Sequence, residues 1–155
     1  MLYVLYLLTI IVFVSVDQFS KFLVVRNVTE NVSIKLIDNF FNLTYVKNYG
    51  AGFSILQNQK TFLIVVTIIA IILVSYMLYK SKNNEYFQRV CYLLIIGGAI
   101  GNLIDRLTLG YVIDFLDFYI FNYDFPVFNI ADSFLTIGCI LLIFSIMLEI
   151  KHEKN

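Results

Sequence analysis

Long apolar runs separated by short polar segments dominate the sequence. A bilayer-spanning helix needs about 20 predominantly apolar residues, and four runs approach or reach that length. The pattern therefore predicts an α-helical membrane protein with four transmembrane helices and both termini on one side. The predicted spans are Leu2 to about Val16 with an extension past Asp17 toward Val25, Thr61–Tyr79, Phe87 to about Ile104, and about Ser133 to Ile150.

The segment Asn31–Asn58, between the first two spans, has a different pattern. Apolar and polar residues alternate with period two in Val32–Leu36 and again in Phe41–Tyr45, and the polar pair Asp38–Asn39 lies between the two runs. Such alternation is typical of strands with one buried face. We therefore predict a small extracytoplasmic β-hairpin or sheet between helices 1 and 2, lying at the outer membrane surface.

The composition agrees with a membrane protein and excludes other classes. Of the 155 residues, 60% are hydrophobic and 14% are charged, against about 25% charged residues in an ordinary soluble domain. Eleven basic residues balance eleven acidic ones, so a nucleic-acid partner has no electrostatic support. Since no internal repeat or linker interrupts the chain, residues 1–155 are predicted to form a single integral membrane domain.

The distribution of Lys and Arg predicts the orientation. Short loops rich in basic residues remain in the cytoplasm. The segment Lys80–Arg89 and the C-terminal tail carry basic residues densely, whereas those of the opposite side are spread over two longer segments. Density therefore predicts cytoplasmic termini. The basic residues of the predicted inner side are Lys80, Lys82, Arg89, Lys151 and Lys154; those of the outer side are Lys21, Arg26, Lys35, Lys47, Lys60 and Arg106.

Cysteine and histidine are too few for several kinds of site. Cys91 and Cys139 lie in separate apolar runs, and the only histidine, His152, lies in the charged tail. No disulfide framework, Cys/His metal site or catalytic unit containing His is predicted. Any chemistry must use Asp, Asn, Lys, Arg and backbone groups.

Polar residues interrupt the apolar runs in two places. Asp17 and Lys21 are four residues apart and can pair on one helix face; a structural ion pair near the interface and a functional pair both fit. In Gly97–Arg106, the glycines allow close packing of a neighbouring helix. Asn102 and Arg106 share a helix face at the outer end; a plain interface anchor would explain Arg106 but would not require Asn102 and Asp105 as well.

Two further acids suggest hydrolytic chemistry. Asp114 lies among apolar residues, where poor solvation favours its protonated form. Asp132 opens the fourth span, where it also fits an N-cap or first-turn acid. Two carboxylates in one site share a proton, so that one activates water while the other polarises a carbonyl. Asp114 and Asp132 are therefore candidates for an aspartic catalytic pair.

Five segments together resemble the bacterial lipoprotein signal peptidases (signal peptidase II), which are aspartic proteases of the cytoplasmic membrane. One departure is Gly52, where the family more often has Ala. The segments extend over most of the chain in the family's order: Asp17–Lys21, Asn48–Phe53, Gly97–Arg106, Val112–Asp117 and Phe128–Ser133.

The resemblance implies a function and a set of roles. The enzyme would cleave prolipoproteins just before the diacylglyceryl-modified cysteine of the lipobox, without a metal or organic cofactor, at a site near the outer leaflet. Cyclic peptide antibiotics such as globomycin would inhibit it, and membrane lipid would surround it. Asp114 and Asp132 would be catalytic. The supporting residues would be Asp17, Lys21, Asn48, Gly50, Asn102, Arg106 and Asn129.

Two hypotheses concern segments around this site, and two rival functions remain. The Asn31–Asn58 segment would form a platform over the substrate, and the loop around Ile113–Tyr119 would act as a movable lid. An ion-coupled transporter would place acids near the middle of its spans, whereas the second and fourth spans carry none there. A non-catalytic membrane assembly factor would tolerate Asp114→Asn.

Overall fold

Four long helices confirm the predicted spans, and each is long and apolar enough to cross a membrane. The computed structural model describes residues 2–51, 55–82, 85–121 and 123–153. Gly52 and Phe53 of the second family-like segment, and Lys154 of the basic tail, lie outside the described residues. The helices are α1 (Leu2–Asn27), α2 (Lys60–Lys80), α3 (Tyr86–Thr108) and α4 (Ile130–Glu153).

A small antiparallel sheet lies at the end of the helices where α1 and α3 finish and α4 begins. The predicted hairpin between α1 and α2 is confirmed, with its turn at Asp38–Asn39. Two strands from the α3–α4 connection extend it, in the order β1-β2-β3-β4. The strands are β1 (Ser33–Ile37), β2 (Phe41–Asn48), β3 (Val112–Ile120) and β4 (Tyr123–Asp124).

The prediction of a loop at Ile113–Tyr119 is wrong, whereas the movable lid stays a prediction. These residues belong to β3, which lies inside the sheet between β2 and β4. The N–H groups of Phe115 and Leu116 also donate to the carbonyl of Phe128, at 2.9 and 2.7 Å. A strand held along both edges cannot swing away without losing these hydrogen bonds. Its main partner strand, β2, lies about seventy residues earlier in the chain, so the local sequence pattern could not predict this pairing.

The sheet has one polar and one apolar face, because residues paired across neighbouring strands point to the same side. On the polar face, Lys35 pairs with Asn42, and Asn42 pairs with Asp117. The other face packs on the last turns of α1 around Val24 and Val28. We call it the apolar face; its residues in paired positions are Ile34, Ile37, Phe41, Leu43, Leu116 and Phe118.

Glycines allow α3 to pack closely against α1 and α4. A Cβ on Gly97 would lie 2.8 Å from Cβ of Phe13 of α1, and one on Gly101 would lie 2.6 Å from Oδ2 of Asp17. A Cβ on Gly98 would collide with the carbonyl oxygen of Ala131 in α4. The predicted close approach along Gly97 and Gly101 is confirmed. It brings the polar residues of α3 next to those of α1 and α4.

Candidate active site

The ends of α1 and α3, the start of α4 and strands β2 and β3 converge on a buried group of polar side chains. Each of the nine residues predicted as catalytic or supporting is joined to the group by at least one hydrogen bond or ion pair. Asp114 comes from β3 and Asp132 from the first turn of α4. The structure therefore brings together residues that are distant in sequence.

Asp114 is 2% exposed and is held by two amides. Its Oδ1 accepts a hydrogen bond from Nδ2 of Asn129 at 2.7 Å, and its Oδ2 accepts one from Nδ2 of Asn48 at 2.9 Å. Burial, followed by the charge of Asp132, raises the pKa of the Asp114 carboxyl to about 7, although both amides favour the ionised form. The carboxyl therefore titrates near neutral pH.

Asp132 serves as a helix-capping residue and also belongs to the site. Asn129 immediately precedes α4; its Oδ1 accepts from the Asp132 N–H at 2.9 Å, and its own N–H donates to Oδ2 of Asp132 at 3.2 Å. This reciprocal pair is a capping box. The remaining oxygen, Oδ1 of Asp132, accepts from Nδ2 of Asn102 at 2.7 Å. The first-turn interpretation of Asp132 is thus confirmed, and it is compatible with catalysis.

Asn129 connects the two carboxyl groups. Its side chain is fully buried; it donates to Asp114 and accepts from the Asp132 backbone N–H. Nδ2 of Asn129 also donates to Oδ1 of Asn102 at 3.1 Å. Asn102 in turn donates to Asp132. Each carboxyl group therefore has a fixed position relative to the other, set by side chains that cannot rotate without breaking several hydrogen bonds.

Lys21 lies next to the Asn102–Asn129 pair, between two further acids, Asp17 and Asp105. Its Nζ is 2.8 Å from Oδ2 of Asp17 and 2.9 Å from Oδ2 of Asp105, and it donates to Oδ1 of Asn102 at 3.1 Å. The predicted Asp17–Lys21 pair is confirmed. Both residues are almost completely buried. The other oxygen of Asp17 accepts from the N–H of Ala131 in α4 at 2.9 Å, so the ion pair also fixes where α4 begins.

Sequence reasoning did not assign Asp105 a role, although it lies inside the Gly97–Arg106 segment. Besides Lys21, it accepts from Nε2 of Gln18 at 2.8 Å and from the N–H of Ile113 at 3.1 Å. Ile113 directly precedes Asp114, so Asp105 fixes the start of the strand that carries the acid. One signal was present in the sequence: an acidic residue three positions after Asn102, near the end of a predicted span.

Arg106 closes the opposite side of the site. Its Nη2 donates to the carbonyl of Gly50 at 3.0 Å. The N–H of Gly50 donates to Oδ1 of Asn48 at 2.8 Å, and Asn48 donates to Asp114. The guanidinium therefore holds the chain after β2 against the acid.

A cavity of about 650 Å³ lies in front of the two acids. One wall is formed by β2 and β3, and another by the first two turns of α4, including Leu135 and Ile137. In the part of the chain that the structure describes, no three His, Cys, Asp or Glu side chains are grouped as metal ligands. The polar residues that line the cavity are Asn48, Arg106, Asp114, Asp132, Ser133 and Thr136.

Known proteins resemble this chain in sequence and structure. A lipoprotein signal peptidase of Staphylococcus aureus is 40% identical over 139 residues, which cover 90% of this chain and 85% of that protein. The homologue of strain Newman matches equally. A solved bacterial membrane enzyme, determined by the in meso method at 2.3 Å resolution, superimposes with a TM-score of 0.91 at 39% identity, covering 97% of this chain and 92% of that one. A second, at 1.9 Å resolution, has a TM-score of 0.83 at 40% identity, with 91% of each chain covered.

The profile of the family described as signal peptidase (SPase) II matches residues 9–148. Signal peptidases are proteases, and the match includes all four apolar helices in whole or in large part. Together with these helices, the matches identify a multi-pass bacterial membrane protein. The chain belongs to the signal peptidase II family.

Proposed function

We propose that this protein is an aspartic endopeptidase that removes signal peptides from diacylglyceryl-modified prolipoproteins, cleaving before the lipidated cysteine of the lipobox. Asp114 and Asp132 would be the catalytic pair. The observation that carries this proposal is the position of Asn129. Its buried side chain donates to the Asp114 carboxyl and accepts from the Asp132 N–H, and both acids line one cavity.

The proposed reaction uses one proton shared by the two acids. The ionised carboxylate takes a proton from a water molecule, whose oxygen attacks the scissile carbonyl, while the protonated carboxyl donates a hydrogen bond to the carbonyl oxygen. Collapse of the tetrahedral intermediate breaks the C–N bond, and the leaving amine takes up a proton from an acid. A pKa of about 7 for Asp114 supports this scheme, since it keeps one proton in the pair near neutral pH.

The shape of the cavity suits a substrate anchored in lipid. The acids lie at the start of α4, and the cavity continues along apolar side chains one to two turns further into the span, at Leu135 and Ile137. The acyl chains of the modified cysteine would lie there, while the peptide follows β2 and β3. The predicted platform, Asn31–Asn58, supplies Val46 and Asn48 to the cavity.

We further propose that the enzyme is one membrane domain of the bacterial cytoplasmic membrane with both termini in the cytoplasm. The sheet end, with the active site, would then face the outer leaflet. The density of Lys and Arg at the end opposite the sheet supports this orientation. A reporter fused after Asn155 should be active only on the cytoplasmic side; a reporter active only outside would reverse the orientation.

The decisive experiment is cleavage of a diacylglyceryl-modified prolipoprotein by purified variants. We expect Asp114→Asn and Asp132→Asn each to lower turnover by about 10²–10⁴-fold, the usual contribution of a general acid or base. Asp124→Asn is the matched control, because Asp124 lies in β4, is exposed and is not among the cavity-lining residues. Wild-type turnover in both dyad variants would rule out the proposed pair.

Inhibition offers a second measurement. A cyclic peptide antibiotic such as globomycin is expected to occupy the same cavity and to compete with substrate. Because Leu135 lines the cavity beyond the acids, Leu135→Trp should weaken inhibition and raise KM together. An inhibitor constant that stays unchanged while KM rises would place the antibiotic elsewhere.

A further inference from the structure

One polar side chain in the cavity differs from the others in its hydrogen bonding. Five of the six polar residues that line the cavity are held by hydrogen bonds to the protein. Four of these belong to the buried group around the two acids, and Ser133 donates to the carbonyl of Asn129 at 3.0 Å. The sixth is Thr136, whose hydroxyl has no protein partner in the part of the chain that the structure describes. This hydroxyl is therefore available to a molecule bound in the cavity.

Threonines elsewhere in the spanning helices use their hydroxyls differently. Thr9, Thr67 and Thr108 each donate to the carbonyl four residues earlier in the same helix, at 2.9, 2.7 and 2.7 Å. Such a bond satisfies the hydroxyl where lipid offers no partner. The corresponding acceptor for Thr136 is the carbonyl of Asp132, but within the described residues this bond is not made. A hydroxyl without a partner among apolar groups costs free energy, so the conformation of Thr136 points to a polar atom of a ligand.

The position of Thr136 is fixed relative to the proposed catalytic pair. Thr136 follows Asp132 by four residues, so the two side chains share one face of α4 and lie about 6 Å apart along the helix axis. Both line the same cavity. The residues on either side of Thr136, Leu135 and Ile137, are apolar and also line the cavity. The hydroxyl therefore lies between the acids and the apolar end of the cavity.

The proposed substrate carries a polar group at the same level. In the proposed function, on which this assignment rests, the scissile bond lies at the acids and the acyl chains lie along α4. A thioether joins the modified cysteine to glycerol, and ester groups join the glycerol to the acyl chains. The ester carbonyls thus lie between the scissile bond and the acyl chains, at the level of Thr136. An ester carbonyl accepts hydrogen bonds and cannot donate them, and a hydroxyl supplies the donor that it requires.

We propose that Thr136 is a specificity-determining residue whose hydroxyl donates a hydrogen bond to an ester carbonyl of the diacylglyceryl group. This bond distinguishes acyl from alkyl chains, because an alkyl ether has no carbonyl oxygen. The ester carbonyl is remote from the reacting atoms, so the bond is equally strong in the bound substrate and in the transition state. Its loss therefore raises KM and leaves kcat similar.

Two lipopeptides with the same peptide sequence test this assignment. In one, the cysteine carries a diacylglyceryl group; in the other, it carries an ether-linked dialkylglyceryl group of equal chain length. For the full-length protein in mixed micelles, we expect KM to be about 3–10-fold lower for the diester, the usual contribution of one neutral hydrogen bond. Thr136→Val replaces the hydroxyl with a methyl group and should make the two KM values equal. Thr136→Ser retains the hydroxyl and should keep the difference.

Thr67→Val is the matched control, because the Thr67 hydroxyl bonds within α2 and Thr67 does not line the cavity. This variant should keep the preference for the diester. A preference that survives in Thr136→Val, or a wild-type protein that does not distinguish the two lipids, would overturn the assignment. Cleavage of neither lipopeptide by the wild-type protein would instead reject the proposed function. The dissociation constants of the two lipopeptides, measured by fluorescence polarisation, then decide on Thr136 by the same comparison.

Discussion

Helices α2 and α3 are neighbours of similar length, but their surroundings differ. Helix α2 is the more apolar of the two and is almost entirely exposed, whereas α3 is less apolar and more than half buried. In a soluble protein the more apolar helix would be the buried one. Here the solvent is lipid, so an apolar helix can remain outside while polar and small residues turn inward. The less hydrophobic span, α3, is therefore the centre of the helix packing.

The largest expected effect comes from removing the cation of the buried network. Lys21→Met removes the positive charge between the carboxylates of Asp17 and Asp105. Breaking a buried ion pair in this way lowers the free energy of unfolding by about 3–5 kcal/mol. Unfolding in mixed micelles, followed by circular dichroism, measures the loss. Lys60→Met, at the exposed start of α2, is the control and should change stability by less than about 0.5 kcal/mol. Equal effects of the two variants would contradict a stabilising role for the network.

The second effect concerns helix packing. Gly98→Val forces a side chain into the backbone of α4 at Ala131, and overpacking of this kind costs about 3 kcal/mol, the upper part of the usual range. Ala70→Val in α2 also introduces a valine, by adding two methyl groups on an exposed surface, so its stability should not change. The difference in unfolding free energy between the two variants is the measurement, and its absence would show that α3 and α4 are not closely packed.

The third effect is a pH dependence. Since burial and the charge of Asp132 raise the pKa of Asp114 to about 7, the folded state binds this proton more tightly than the unfolded chain. Stability should therefore be greatest at acid pH and fall as pH rises, by about 2 kcal/mol between pH 5 and pH 7. Asp114→Asn should remove this slope. A wild-type stability that stays constant or rises over that interval would contradict the shift.

The smallest effect is expected on the lipid side of α2. Ile72 is 61% exposed, so lipid replaces the atoms removed by Ile72→Ala, and the loss should stay below about 0.5 kcal/mol. The same change at Ile96 of α3, which is 3% exposed, should cost about 2 kcal/mol or more. The measurement is the ratio of the losses in unfolding free energy at Ile96 and Ile72. A ratio near one would contradict the conclusion that α3 is buried in protein while α2 faces lipid.

The spans and most of the candidate site were predictable from the sequence for the same reason. Apolar runs fix the helices, and any polar residue within such a run must find a partner, as Lys21 and Asn102 do. The hairpin was predictable because both strands and their turn lie within one short segment. Family-like segments then indicated which separate polar residues belong together.

The sequence did not reveal β3 or the role of Asp105, because both depend on contacts between distant segments. The alternation in β3 is interrupted where Phe115 and Leu116 both donate to one carbonyl, and its partner strand belongs to a different connection. Asp105 is positioned by Lys21 from α1 and by the backbone of Ile113. Neither the pairing of β3 nor the contacts of Asp105 produce a periodic pattern of apolar and polar residues in the sequence.

The capping box of α4 has a consequence for biosynthesis. Asn129 and Asp132 lie at the start of α4, which follows the other three helices in the chain, whereas Asp114 precedes it. A nascent chain that has inserted only α1, α2 and α3 holds one acid of the proposed pair and lacks the asparagine that positions it. If Asp114 and Asp132 are the catalytic pair, the protease would be inert while it is being made and would acquire activity in the step that forms the first turn of α4.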